Sequence, residues 1–191
     1  MNAVQPIRDI DTIHAIQADL KQNNYRNYLL FEIGIYIGIR ISDILNIKVK
    51  DIKNKDNLKL REIKTGKEKL MPIPAHLKKE IIYYIDNKTM QDDEYLFKSR
   101  TKKIKPISRV QAYKILQNVA KKYNLENIGT HTLRKTFGYH FYKRTNDVAL
   151  LMTILNHSDP SITLRYIGIE QDNVNKSLKN FKYWFLKIYK S

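Results

Sequence analysis

Residues 131–166 read HTLRKTFGYHFYKRTNDVALLMTILNHSDPSITLRY. This stretch decides the fold, because helix starts and chemically equipped side chains alternate along it. Thr130, just ahead of it, is a candidate N-cap for a helix running to about Arg144. Asp147 starts a second helix, to about Asn156, and Pro160 takes a first-turn position in a short third. His131 and Arg134 are three residues apart and so share one helix face, which points an imidazole and a guanidinium the same way. Leu155-Asn156-His157-Ser158 closes the second helix, and Tyr166 follows His157 by nine residues. Taken singly, each of these is also what a basic surface helix shows.

Upstream and downstream the pattern stays helical. Ser108 and Gln111 have capping-box spacing ahead of a helix that reaches about Tyr123. The last helix begins near Glu170 and carries Leu178, Phe181, Trp184, Phe185 and Ile188. At the other end, Asp9 or Asp11 caps a helix to about Gln22 with Ile13, Ile16 and Leu20 on one face. A second helix, Tyr25 to about Ile39, is apolar on most sides and is therefore expected to be central and buried. It runs into Gly38-Ile39-Arg40-Ile41-Ser42-Asp43. An arginine after so apolar a run is either a boundary residue or a partly buried anion ligand, and Asp43, three residues on, can orient it. Ile47, Val49 and Ile52 suggest a short strand. Residues 58–64 and 68–73 flank Thr65-Gly66-Lys67, which reads as a hairpin with glycine in its turn. A helix from about Ala75 to Asn87 follows. The fold class is mainly α with a small antiparallel β-sheet (α+β).

Composition narrows the partner. The chain has 191 residues, enough for one domain with a sizeable core. Lys and Arg number 35 against 19 Asp and Glu, a net charge of +16, with a pI near 9.8. Residues 95–125 hold nine Lys or Arg and no acid, and residues 127–146 hold four more and again no acid. A run of that length points to a polyanion rather than a solvated lysine-rich face. With 42% hydrophobic and 10% aromatic residues, the chain is not a disordered basic tail. The absence of Cys excludes disulfides, zinc–thiolate sites and cysteine nucleophiles. The polar start MNAVQPIRDID is no secretory signal, and the longest apolar stretch, Tyr28 to Ile41, is too short to span a membrane. A cytoplasmic protein is expected, with no membrane partner.

Taken in order, these motifs resemble the tyrosine recombinase (phage integrase) family, over about residues 9–170. The G-x-R-x-S-[DE] pattern is Gly38, Arg40, Ser42 and Asp43. A lysine on a hairpin turn about two dozen residues later is Lys64, beside Thr65-Gly66. The H-x-x-R box is His131 and Arg134, the L-G-H box is Leu155, Asn156 and His157, and the tyrosine nine residues beyond is Tyr166. The departure is Asn156, which stands where glycine is usual. Asn is the residue next most tolerant of a left-handed C-cap.

The resemblance implies a tyrosine recombinase catalytic-domain fold and a DNA transesterification. Tyr166 is implied as nucleophile, giving a 3′-phosphotyrosyl link and a free 5′-hydroxyl. Arg40 and Arg134 would hold the non-bridging oxygens, each contact of that kind being worth about 3–4 kcal/mol of transition-state stabilisation. Lys64 is implied as the general acid, with Lys67 and Lys69 as competitors. His131 is implied as the acid/base beside the tyrosine, and His157 as a donor to the phosphate. No metal or other cofactor is required. The implied partners are double-stranded DNA and further copies of the chain, four on two duplexes, with the terminal segment docking on a neighbour.

The expected organisation is a single catalytic domain over 1–191, with a core over about 9–170 and a C-terminal helix or tail over about 171–191. The family's usual N-terminal DNA-binding domain is absent, as in a shortened form or a naturally short recombinase acting in integration, excision or inversion. Two rivals stand beside it: a catalytically silent DNA-binding regulator on the same fold, and a type IB topoisomerase-like enzyme that shares the nucleophile and arginines. A metal-dependent nuclease ranks last. His14, His76 and His140 fall off the pattern and are read as structural or exposed.

Overall fold

The structure is a computed structural model that describes residues 4–99 and 104–181. Helix α1 (Ile10–Asn23) is capped by the Asp9 side chain, which accepts from Thr12 N. Helix α2 (Tyr25–Ile37) follows after Asn24, whose side chain caps it. Two short helices, α3 (Ile41–Leu45) and α4 (Val49–Ile52), lead into the hairpin of β1 (Asn57–Arg61) and β2 (Glu68–Pro72). The strands pair antiparallel, with Lys59 opposite Leu70. Helix α5 (Ala75–Asn87) packs beside them, and α6 (Arg109–Lys122) starts on the Ser108–Gln111 capping box read from the sequence. The remaining helices are α7 (Thr132–Thr145), α8 (Val148–Leu155), α9 (Pro160–Ile167) and α10 (Ile169–Asn180).

Helix α2 is central, as its all-round apolarity requires. Leu29, Leu30, Ile33 and Ile37 enter one core with α3, α4, β1 and α5, while Tyr28 and Phe31 enter a second with α1, α6 and Leu133 of α7. A third, smaller core joins Tyr139, Leu151, Leu155, Ile167 and Ile169 of the last four helices. Helices α2 and α7 approach closely because Gly34 has no side chain: a Cβ there would lie 2.5 Å from Leu133 Cδ1. The junction of the first and third cores is where the candidate site forms.

Three expectations need correction. Ile47, Val49 and Ile52 do not form a strand. Val49 and Ile52 lie three apart on the single turn of α4, all three side chains are buried, and Asp51 caps that turn by accepting from Lys48 N. The flanking backbone pairs with residues 92–96, Val49 N donating to Glu94 O and Leu96 N to Ile47 O. Helix α2 stops at Ile37, because Gly38 takes the left-handed conformation (φ 69°), open to glycine at little cost. Helix α7 starts one residue late. His131 is its N-cap residue without a side-chain cap bond, and the Thr132 hydroxyl takes Gly129 N–H instead. At the C-terminus Leu178 and Phe181 are exposed, while Trp184, Phe185 and Ile188 lie outside the described residues.

Candidate active site

The site is built on helix ends. The left-handed Gly38 turns the chain out of α2 so that Arg40 stands at the N-cap of α3. Arg134, on the first turn of α7, reaches two of these ends at once. Its Nη1 donates to Gly38 O (2.8 Å) and its Nη2 to Leu155 O (2.7 Å), at 3% exposure. A guanidinium carries five N–H donors; two go to these carbonyls and one to the Tyr166 hydroxyl, so two remain for an anion.

Asn156 closes α8 in the left-handed conformation (φ 53°, ψ 51°), and His157 N donates back to Met152 O. This is the conformation anticipated for the residue in the glycine position. It aims His157 at α9, where Nδ1 lies 3.1 Å from Thr163 Oγ1. The Thr163 hydroxyl gives its own hydrogen to Asp159 O, so Nδ1 is the donor, and neutral His157 presents a lone pair at Nε2. Burial, with Arg134, Arg40 and Lys69 nearby, lowers the His157 pKa.

Tyr166 projects from α9 into this cluster. Its Oη is 3.3 Å from His131 Nδ1, its ring stands edge-on to His157 at 5.0 Å between centroids, and Lys135 Nζ lies 4.8 Å from the ring centroid. Burial raises the phenol pKa, while the charges of Arg134 and Arg40 and a hydrogen bond from Arg134 pull it down. Burial and the surrounding cations, Arg134 first, lower His131.

Arg40 reaches the cluster through a partner that sequence reasoning missed. Asp43, expected to orient it, instead accepts from Ile63 N (3.0 Å) through Oδ1. Glu62, just past β1, is the carboxylate that Arg40 meets, Nη1 lying 2.7 Å from Oε1. Lys69 Nζ is 3.0 Å from the same oxygen and donates to Ile154 O. Thr65 Oγ1 donates to Glu62 Oε2 (2.6 Å). Burial alone raises Glu62, yet the Thr65 hydrogen bond and the Arg40 and Lys69 cations hold it at about 2. Glu62 was visible in principle: Leu58, Leu60 and Glu62 alternate on one strand face, and a carboxylate there takes the place of an apolar residue.

Of the six singled-out residues, Arg40, His131, Arg134, His157 and Tyr166 converge. Lys64 lies on the exposed turn between Glu62 and Gly66. Of its two competitors, Lys67 donates to Asn156 Oδ1 (2.9 Å), and Lys69 is the one whose side chain enters the cluster, at 11% exposure. Burial lowers the Lys69 pKa, against Glu62, which raises it. His14 is exposed, His76 packs edge-on to Tyr36, and His140 Nε2 lies 2.9 Å from Ile7 O, all outside the cluster.

A mainly helical fold that seats two arginines and two histidines around a tyrosine defines the class of the site-specific tyrosine recombinases, enzymes that break and rejoin DNA. A family model described as the phage integrase family matches residues 8–172, and the chain belongs to that family. It is 54% identical over 182 residues to the Bacillus subtilis protein "Probable integrase/recombinase YoeC", covering 95% of this chain and 98% of YoeC. It is 28% identical over 162 residues to tyrosine recombinase XerA of Pyrococcus furiosus, covering 84% of this chain and 56% of that protein. The chain thus spans nearly all of YoeC and little more than half of XerA. Among solved structures, XerA recombinase superposes with a TM-score of 0.74 at 17% identity, over 96% of this chain and 66% of that one. XerH recombinase bound to palindromic difH substrate, in a post-cleavage complex, gives 0.72 at 18%, over 94% and 54%. No described helix is long and apolar enough to cross a membrane.

Proposed function

We propose that this chain is the catalytic unit of a cytoplasmic recombinase that cleaves and rejoins double-stranded DNA through a 3′-phosphotyrosyl intermediate, in integration, excision or inversion. The observation that carries the reading is the Tyr166 hydroxyl, brought by its own chain to 3.3 Å from His131 Nδ1. That placement favours cleavage in cis, each protomer using its own tyrosine.

Tyr166 Oη attacks phosphorus, an O–P bond forms, and the 5′-oxygen departs with a proton. The phosphotyrosyl bond retains the energy of the broken one, so a 5′-hydroxyl can reverse the step without ATP. An ordinary phenol has a pKa of about 10 and needs help to ionise. His131, kept neutral by burial and neighbouring cations, accepts that proton. Arg134 and Arg40 offer N–H groups to the non-bridging oxygens as negative charge gathers there. His157 donates from Nε2 once it carries a second proton, which an approaching phosphate favours. This route draws its charge stabilisation from guanidiniums and uses no metal.

Lys64 is the general acid of the first reading, delivered by the hairpin turn. A second reading assigns that role to Lys69, because its ammonium is the one already inside the cluster. Replacing the leaving 5′-oxygen by sulfur separates them. A thiolate leaves without a proton, so the sulfur substrate restores cleavage to the variant, Lys64→Ala or Lys69→Ala, that lacks the acid. Four protomers on two duplexes complete the proposal, with α10 and the residues beyond it reaching a neighbour.

The test is a nicked duplex drawn from a pool of candidate sites, incubated with the protein and run on a denaturing gel. A covalent adduct that survives EDTA and is absent with Tyr166→Phe is expected. Salt-sensitive binding with no adduct on any duplex would overturn the catalytic reading.

A further inference from the structure

Glu62 is the one carboxylate in ion-pair contact with this cationic cluster among the described residues, and no step above uses it. Its side chain is buried (1% exposed), yet it meets three groups from two parts of the chain. Oε1 faces Arg40 Nη1 at 2.7 Å and Lys69 Nζ at 3.0 Å, and Oε2 accepts from Thr65 Oγ1 at 2.6 Å. Its backbone closes the same turn, Glu62 N donating to Lys67 O (2.9 Å) and Gly66 N to Glu62 O (2.8 Å). Burying a carboxylate is costly unless opposite charge meets it, and here two cations face Oε1 as ion pairs while Thr65 supplies the hydrogen bond to Oε2. Here its partners include a residue aimed at the scissile phosphate and the turn that carries Lys64.

We infer that Glu62 is a positioning residue of the transesterification, acting through Arg40. In the free enzyme it neutralises Arg40 and fixes the guanidinium by one edge, so the phosphate meets a donor already in place. Without the carboxylate, Arg40 keeps its charge but loses its anchor, and Lys69 next to it becomes an unpaired cation. The inference rests on the recombinase reading above, and its test is arranged so that the two fail differently.

The test is single-turnover formation of the covalent adduct on the nicked duplex, with the 5′-oxygen leaving group and with 5′-sulfur in its place. Wild type, Glu62→Gln, Glu62→Asp, Lys64→Ala and Tyr166→Phe are compared. Glu62→Gln is expected to lower the rate constant about 10–100-fold, by analogy with the range for partners that orient metal-ligating side chains. Glu62→Asp recovers part of it. The sulfur leaving group does not restore Glu62→Gln, because the lost function is held by Arg40 and not by the proton donor. A fraction of misfolded protein lowers the amplitude of the reaction and leaves its rate constant alone, which separates positioning from simple destabilisation.

A wild-type rate constant in Glu62→Gln overturns the inference. So does restoration of Glu62→Gln by sulfur, which would place its action on the leaving-group proton instead. Absence of any Tyr166-dependent adduct in wild type overturns the recombinase reading itself.

Discussion

Two buried glutamates respond to pH in opposite senses. Glu32, on α2, is 2% exposed and accepts from Gln17 Nε2 (2.7 Å), and burial raises its pKa to about 7. Its folded pKa lies above the unfolded value near 4.5, so its contribution is complete below that pH. It is lost as pH rises from about 4.5 to about 7, by on the order of 3 kcal/mol. Glutamine copies the protonated form, so Glu32→Gln should match wild type in urea unfolding at about pH 4 and exceed it at about pH 8. A difference of the same size at both pH values would refute this. Glu62, held at about 2, adds stability above the unfolded carboxyl range and loses it as pH falls through 2. Arg134 gives the second prediction at this scale. Arg134→Ala leaves Gly38 O and Leu155 O buried without donors, at about 1–3 kcal/mol for each carbonyl. Its unfolding midpoint should drop well below that of Tyr166→Phe.

Helix ends set the next scale. Asn156 holds the left-handed cap of α8 and also accepts from Lys67 across to the hairpin. Asn156→Gly should retain stability, while Asn156→Ala should lose about 1–2 kcal/mol to left-handed strain, read by thermal or urea unfolding. Gly138, on α7, lies against α9: a Cβ there would sit 2.7 Å from Ile167 Cγ2. Gly138→Ala should therefore shift α9 and with it Tyr166, slowing adduct formation and costing about 1–3 kcal/mol. These elements also show what sequence patterns disclose. The caps at Asp9, Ser108 and Asp147 and the Pro160 first turn were readable because a side chain and its backbone partner lie within three residues. The α3–α4 segment misled because its short apolar spacing fits a strand as well as one helical turn, and its backbone partners lie over forty residues away. Glu62 takes the place at Arg40 expected of Asp43 for the same reason. An i+3 neighbour is visible on paper, whereas a partner delivered by strand pairing is not.

For the whole molecule the charge of +16 dominates. Each phosphate neutralised adds about −0.9 to the slope of log affinity against log salt on duplex DNA. Binding to a non-cognate duplex should thus fall at least tenfold between 50 and 200 mM salt, a range set by the same counterion release. Salt-independent binding in a titration would contradict a phosphate-tracking surface. Val174, Leu178 and Phe181 are exposed along and just past α10. Removing residues 176–191 should spare folding and single-site cleavage while abolishing the joining of two sites in a gel-shift assay. Unchanged two-site complexes would count against that arm.

Arg134 ties the end of α2 to the end of α8, and in the proposed reaction it is also the side chain offered to the phosphate. Folding and chemistry are therefore inherited together at that position. The Tyr166 hydroxyl, in contrast, meets the histidine and arginine at its tip, and its ring packs without it. A lineage that gave up strand exchange and kept DNA recognition would shed the phenolic oxygen freely, but it would still need the arginine to hold its helices. Among descendants of such a chain, the missing tyrosine, not the missing guanidinium, is the mark of retirement from catalysis.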